Sequence, residues 1–320
     1  MLDYLLSLHV LIIDEVSMLS AMLFDKIAEL FKIIHKTDRP FGKLQLILVG
    51  DMSQLKPVEG EYCFCASNWE KSNINISILT ENMRVHTDTR FDALLQKLRW
   101  GILTDLELIE KMKHTDFSDT IRPTKLFSKN KDVDTINQHE LGLLLKENES
   151  VTYKVLYSTN PLKLSYSTKY ATDAKIPEFL TLCVGAQVMV NRNICFDEGI
   201  VNGTRGIIVS LTATSVTLRL VSGSLCAISY FHVKSEDVDE RYLDFKYLPL
   251  QLSWAMSIHK SQGATIDCLE IDLGESIFTS GQAYVAISRA RNSESVKITH
   301  FNKKSIKVDP LVLSFYERYT

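Results

Sequence analysis

The chain has no excess of positive charge. Its 36 Lys and Arg are matched by 39 Asp and Glu, leaving a formal net charge of -3 and a pI near 6.3. That balance excludes a protein held to nucleic acid by bulk charge, so any such contact must rest on a local groove. No apolar run approaches the roughly 20 residues needed to cross a bilayer, so no membrane role is suggested. The apolar stretch from Leu5 to Ile13 imitates a signal-peptide core, but no basic residue precedes it and Asp14 and Glu15 follow directly, so it reads as a strand. The six cysteines, at 63, 65, 183, 195, 226 and 268, form neither a C-x-x-C pair nor a His/Cys cluster at zinc-ligand spacing. They read as reduced thiols packed in an intracellular protein. There is no internal repeat and no low-complexity tract. What remains is a globular chain of 320 residues, 45% hydrophobic and 23% charged, long enough to bury two or three units.

The order of patterns points to an α/β fold. From His9 to Ile13 a continuous aliphatic run reads as a parallel strand covered on both faces. In "SAMLFDKIAELFKIIHK", Leu23, Ile27, Leu30 and Ile34 recur at helical spacing beside Phe24 and Phe31, with Lys26, Glu29 and Lys32 outward. A second buried strand, "LQLILVGD", ends at Asp51, and strand, helix, strand implies a right-handed crossover with ligands at the carboxyl ends of the strands. Residues 80 to 115 read as mainly helical, and "TKLFSKNKDVDTINQHEL" as a strand leading into a helix. From about 150 to 245 the pattern is short and alternating, as in "RGIIVSLTATSVTLRLVSG", which suggests a small antiparallel barrel inserted in an α/β unit. After Pro249 the α/β pattern resumes.

Four groups of residues carry chemistry. An aspartate ending a buried strand and followed by glutamate suits a nucleotide hydrolase, with Asp14 holding a magnesium ion and Glu15 orienting or deprotonating the attacking water. Alone, such a pair reads as a solvated turn or helix cap. It gains weight from "LILVGDMSQLKPV", where Gln54 follows a second strand end and offers a neutral amide able to read a γ-phosphate or its water. Arg84 in "LTENMRV" and Arg289 in "YVAISRARN" supply the positive charge that phosphoryl transfer demands, Arg289 being the stronger candidate because it follows apolar "AYVAI". Arg291 reads as a solvated neighbour. In "WAMSIHKSQGATID", four successive donors, His259, Lys260, Ser261 and Gln262, precede Gly263 and suit a single-stranded phosphate backbone.

Taken in order, "VLIIDEVSML", "LILVGDMSQLKPV", "LTENMRV", "LFSKNKDVDTIN", "VGAQVMVNRN", "GIVNGTRG", "SIHKSQGATID" and "GQAYVAISRA" resemble the petite-integration-frequency (PIF) family of superfamily-one DNA helicases. The stretches run from residue 10 to residue 291. The resemblance implies two RecA-like P-loop NTPase-type domains, the first incomplete, with a small SH3-like β-barrel inserted in the second. The first domain would be residues 1–78, the second 79–150 with 246–320, and the barrel region 151–245. It further implies that Asp14 and Glu15 serve Mg2+ and water, that Gln54 senses the γ-phosphate of ATP, that Arg84 and Arg289 reach that phosphate, and that "IHKSQG" contacts single-stranded or forked DNA with 5′ to 3′ stepping. Relatives work in DNA repair, recombination and telomere maintenance, so a nuclear or cytoplasmic site on DNA is expected.

The pattern departs from the family at two points. The family opens with a phosphate-cradling G-x-x-x-x-G-K-[ST] loop, and the chain's one Gly-Lys, Gly42-Lys43, precedes a strand and is followed by Leu44. With Met1 thirteen residues before Asp14, the phosphate loop is expected from an upstream segment or a separate chain. Weak ATP affinity and exposed strand edges are expected without it. Val85 stands where relatives often carry a polar residue. The alternative is a non-catalytic single-stranded-DNA-binding remnant or a subunit of a split helicase. The RecD-like and conjugative relaxase-helicase groups share the "HKSQG" and "SRA" type segments, and "VNGTRG" favours the PIF branch.

Overall fold

The structure, a computed structural model, describes residues 2–85, 87–117, 121–234 and 243–319. It divides into two compact units, one made of Met1–Thr115, Ile258–Gly263 and Ile271–Thr320, the other of Asp116–Ser257 and Ala264–Glu270.

The first unit begins with α1 (Leu2–Ser7), β1 (Val10–Ile13), α2 (Ala21–His35) and β2 (Gln45–Leu48). β1 and β2 pair in parallel from Val10 opposite Gln45 to Ile13 opposite Leu48. The strand-helix-strand order read from the sequence is therefore present, but β1 is not covered on both faces. Side chains alternate along a strand: Leu11, Leu46 and Leu48 pack on the core, whereas Ile12 is 64% exposed and Ile47 38%. α2 starts at Ser20, whose hydroxyl accepts from the Leu23 amide, and stops at Lys36 in a left-handed conformation. Its buried row is Phe24, Ala28 and Phe31. Leu23 and Leu30, expected to face inward, lie half-exposed. Adjacent rows on a helix are about 100° apart, and the wider Phe24 ring takes the inward place by packing against Phe41 and Trp69 at 5.0 and 5.4 Å. α3 (Thr89–Leu98) and α4 (Leu106–Lys113) follow, each opened by an aspartate cap, Asp88 and Asp105.

The second unit contains β3 (Thr124–Phe127), α5 (Asn130–Leu144), β4 (Ser150–Lys154), β5 (Leu156–Tyr157), α6 (Pro161–Asp173), β6 (Phe179–Cys183) and β7 (Gln187–Val190). It continues through β8 (Arg205–Leu211), β9 (Ser215–Leu220), β10 (Leu225–Ser229), β11 (Phe231–Lys234), β12 (Asp244–Tyr247), β13 (Leu250–Leu252) and β14 (Ala255–Ser257). The alternating segment forms an antiparallel sheet in the order β10-β9-β8-β7-β13 over a core that includes Val188, Ile208, Leu218 and Trp254. β14 pairs with β3 in parallel. Helix α6 interrupts the region read as all strands. Its signal was local: Asn160 caps the Leu162 and Lys163 amides, and Pro161 occupies the first turn, where its missing N–H costs nothing. Of the expected barrel region, residues 235–242 lie outside the described residues.

The chain then supplies β15 (Leu269–Leu273), α7 (Gln282–Ile287), β16 (Val296–Phe301) and α8 (Pro310–Glu317). α8 returns to the core of the first unit, where Phe315 stacks on Phe64 at 4.5 Å and meets Trp69 at 6.1 Å. Among the described residues no helix is long and apolar enough to cross a membrane.

Phe24 is fully buried and Leu30 half-exposed on the same helix. Phe24→Ala is expected to destabilise the chain by about 3–5 kcal/mol and Leu30→Ala by well under half of that, read from denaturant midpoints.

Candidate active site

Two strand ends, β1 and β2, are stitched together directly after their last residues. The Val49 amide donates to the Ile13 carbonyl and the Val16 amide to the Val49 carbonyl, at 2.9 and 3.0 Å. Between those bonds the chain reverses through Glu15, held left-handed at φ 50° and ψ 43°. A non-glycine residue there stores strain of order 1–3 kcal/mol, which persists only where its surroundings fix it. Asp14 helps to fix it: its Oδ1 accepts from the Glu15 amide at 2.7 Å. Gly50 permits the close approach, since a Cβ there would lie 2.8 Å from the Val16 nitrogen.

The loop after β2 is anchored by Asp51. Its carboxylate accepts from Arg99 Nε (3.1 Å), Tyr284 OH and Tyr316 OH (each 3.2 Å) and the Ser53 amide (3.0 Å). The Arg99 guanidinium also lies over the Trp100 and Tyr316 rings. Burial works against the Arg99 charge, but Asp51 and the two tyrosine oxygens outweigh it and hold its pKa above the ordinary value. Burial first, and Asp51 second, push the Tyr284 phenol well above its usual range, so it remains a donor.

Beside this anchor lies a cavity of about 860 Å³ whose lining includes Asp51, Gln54, Arg84, Arg99, Tyr284 and Arg289. Gln54 is half-buried and its Oε1 is enclosed with no hydrogen-bond partner. Arg84 Nη1 donates to the Ser288 carbonyl at 2.9 Å. Arg289 is only 2% exposed, and its guanidinium donates to the Val285 carbonyl and the Ser288 hydroxyl at 3.0 and 2.9 Å. Burial, and then the charge of Arg84, bring Arg289 down to about 10. Arg84 is likewise lowered by burial, with Glu15 and Tyr284 opposing and Arg291 adding to the shift. Two cations have thus been brought together in a poorly solvated place, with no carboxylate bonded to Arg289 among the described residues, an arrangement an anion relieves.

The 258–263 segment forms consecutive turns, with the Ser261 amide bonded to the Ile258 carbonyl and the Gln262 amide to the His259 carbonyl. Its four candidate donors are not presented alike. Lys260 is exposed and His259 half-buried, with burial lowering the His259 pKa. Ser261 is fully buried and its hydroxyl donates back to the Ile258 carbonyl. Gln262 Nε2 donates to Glu15 Oε2 at 2.8 Å.

A family model described as PIF1-like helicase matches residues 1–108, and one described as the DNA helicase Pif1 2B domain matches 174–211. The chain is similar to the ATP-dependent DNA helicase Pif1 of Bdellovibrio bacteriovorus, with 32% identity covering 96% of this chain and 70% of that relative. It belongs to the PIF1-like helicase family. The ATP-dependent DNA helicase PIF1 of Xenopus laevis is 36% identical, over 96% of this chain and 49% of the relative. The chain therefore spans about half the length of the first curated relatives it matches. In structure it is similar to a Bacteroides Pif1 solved in complex with ADP-AlF4, with a TM-score of 0.82 and 28% identity over 99% of this chain and 76% of that one. That likeness is one of α/β fold, as the sequence patterns implied, with RecA-like cores, as the resemblance implied.

The PIF1-like residues fit the groups the family implies. Mg2+ is commonly held by one or two carboxylates plus substrate phosphates and water. Asp14, exposed at a strand end, offers one, and among the described residues no group of three or more His, Cys, Asp and Glu stands as a rival site. A nucleotide phosphate suits the paired arginines, and the unpartnered Gln54 Oε1, an acceptor, suits a donor such as the attacking water. The sequence reading missed the anchor. Asp51 was visible as the end of a strand but was given no role, and nothing in "LQKLRWG" or "LSFYER" marks Arg99 and Tyr316 as its partners.

Because Arg289 is buried with a lowered pKa, its charged form costs the fold stability below about pH 10, and the cost fades as pH rises through that value. Arg289→Met is accordingly expected to raise the stability of the ligand-free chain by about 1–3 kcal/mol at neutral pH, measured by thermal unfolding. It should also abolish any stabilisation by added polyphosphate.

Proposed function

We propose that this chain carries the hydrolytic and strand-gripping portion of an ATP-dependent DNA helicase, coupling ATP hydrolysis to 5′ to 3′ movement along single-stranded DNA. The observation that carries the reading is the meeting of Arg84, Arg289 and the unsatisfied Gln54 amide at one cavity, in the unit that also positions Glu15. In this reading Asp14 holds Mg2+, which neutralises charge on the phosphates when bound. Glu15 accepts a proton from the attacking water, Gln54 reads the γ-phosphate, and Arg84 with Arg289 takes up the charge that develops on it. His259, Lys260, Ser261 and Gln262 form the strand contact, with Lys260 the most accessible and Ser261 acting through its turn.

The names of the relatives, ATP-dependent DNA helicases, support this assignment. The sequence contains no G-x-x-x-x-G-K-[ST] stretch, so the phosphate cradle comes from an upstream segment or a separate chain. The domain division goes with the same reading: 1–78 as the first RecA-like domain, 79–150 with 246–320 as the second, and 151–245 as the inserted SH3-like region. The place of action is an intracellular compartment that contains DNA.

With the phosphate-loop segment supplied, Glu15→Gln is expected to lower DNA-stimulated ATP hydrolysis by about 10²-fold or more in a steady-state assay, while single-strand binding persists. Hydrolysis surviving the substitution would sink the reading. Single-strand binding without Glu15-dependent turnover would instead mark a DNA-binding component.

A further inference from the structure

We propose that Gln262 is a latch on the catalytic carboxylate, so that engagement of the 258–263 segment by a nucleic-acid strand releases Glu15 for work on water. The inference rests on the functional reading above and adds to it a positioning residue. Gln262 Nε2 donates to Glu15 Oε2 at 2.8 Å, and Ser17 Oγ lies 3.5 Å from the same nitrogen. Gly263, at φ +77°, brings the backbone so close that a Cβ there would sit 3.4 Å from Glu15 Oε1. Both oxygens of the carboxylate are thereby approached by one short segment, and all of these residues belong to the same compact unit.

A carboxylate that accepts such a hydrogen bond has one oxygen occupied, which opposes its use as a proton acceptor. The latch is also poised to open. Gln262 Oε1 is enclosed with no hydrogen-bond partner, so the closed arrangement gains one strong bond and leaves one buried acceptor unsatisfied. A strand that offers the amide new partners removes that cost as it draws the side chain from Glu15. The neighbouring Lys260 is exposed.

The first test uses the chain as it is. In an isotope-labelled sample, the Gln262 side-chain amide resonance, identified by its loss in Gln262→Ala, is followed on adding a single-stranded thymidine oligonucleotide. Binding is monitored in parallel by fluorescence anisotropy. The resonance is expected to move in Glu15→Ala and to move the same way when the oligonucleotide binds. A resonance that ignores Glu15→Ala, or ignores a bound oligonucleotide, overturns the latch and leaves the strand-binding reading standing. Failure of the oligonucleotide to bind at all overturns both.

The second test is kinetic, with the phosphate-loop segment supplied. Gln262→Asn keeps an amide but is one methylene too short to reach Glu15. It is expected to raise DNA-independent hydrolysis and lower the ratio of stimulated to unstimulated rate by about tenfold, the scale of one charge-assisted hydrogen bond. A fall in the DNA-independent rate would show that Gln262 orients Glu15 for catalysis and would overturn the proposal.

Discussion

The carboxylate of Asp51 is the interaction on which the candidate site depends. Four groups converge on it from four parts of the sequence: Ser53 beside it, Arg99 at the end of α3, Tyr284 in α7 and Tyr316 in α8. The loop between β2 and Gln54 has no regular structure of its own to hold it. Its position is fixed because a half-buried carboxylate must be satisfied, and one of its donors, Tyr316, is carried by a helix packed on the aromatic core of Phe24, Trp69 and Phe315. Burial of rings thus becomes placement of a polar loop. Removing one partner would leave Arg99 or Asp51 charged and poorly solvated, which is why such a set behaves as a unit.

From that anchor the two catalytic assignments acquire their geometry. Tyr284 lies in α7, and the same helix carries the turn from which Ser288 receives Arg84 and supports Arg289. Gly281, just before α7, has room for no side chain, because a Cβ there would overlap the carbonyls of Ser53 and Gln54. The loop bearing Gln54 and the helix bearing the arginine turn are therefore in backbone contact, which places the amide proposed to sense a phosphate in a fixed relation to the cations proposed to stabilise it. Positioning of this kind is what phosphoryl transfer chiefly asks of a protein.

Much of this was legible in the sequence, and the reasons differ by element. β1, α2 and β2 were visible because aliphatic runs and helical spacing report burial directly. The wrong choice of inward row on α2 arose because Leu23-Ile27-Leu30 and Phe24-Ala28-Phe31 are both apolar, and only tertiary packing against Phe41 and Trp69 separates them. α6 escaped notice because its cap and proline lie inside a stretch of alternating strands. Arg84, Arg289 and Gln54 were singled out by their chemistry beside strand ends and apolar runs, and all three line one cavity. Arg99 and Tyr316 were not singled out, because their partner Asp51 lies 48 and 265 positions away and leaves no local mark.

The unsatisfied groups give the last step. A fold selected for stability alone would not keep Arg289 buried beside Arg84, nor enclose the Gln54 and Gln262 carbonyl oxygens without donors. Nor would it hold Glu15 left-handed. Such departures occur elsewhere too, with unsatisfied polar atoms at Asn191, Arg205 and Ser253 and left-handed backbone at Lys36, Phe41, Asn73 and Lys175, but here Arg84, Arg289 and Gln54 line one cavity and Glu15 is bonded to Gln262. Elsewhere the same unit satisfies its polar groups closely, as where Asp25 accepts four hydrogen bonds from Ser67 and Asn68. Buried cations and an unsatisfied amide meeting at one cavity mark a surface shaped for a ligand rather than for the resting fold.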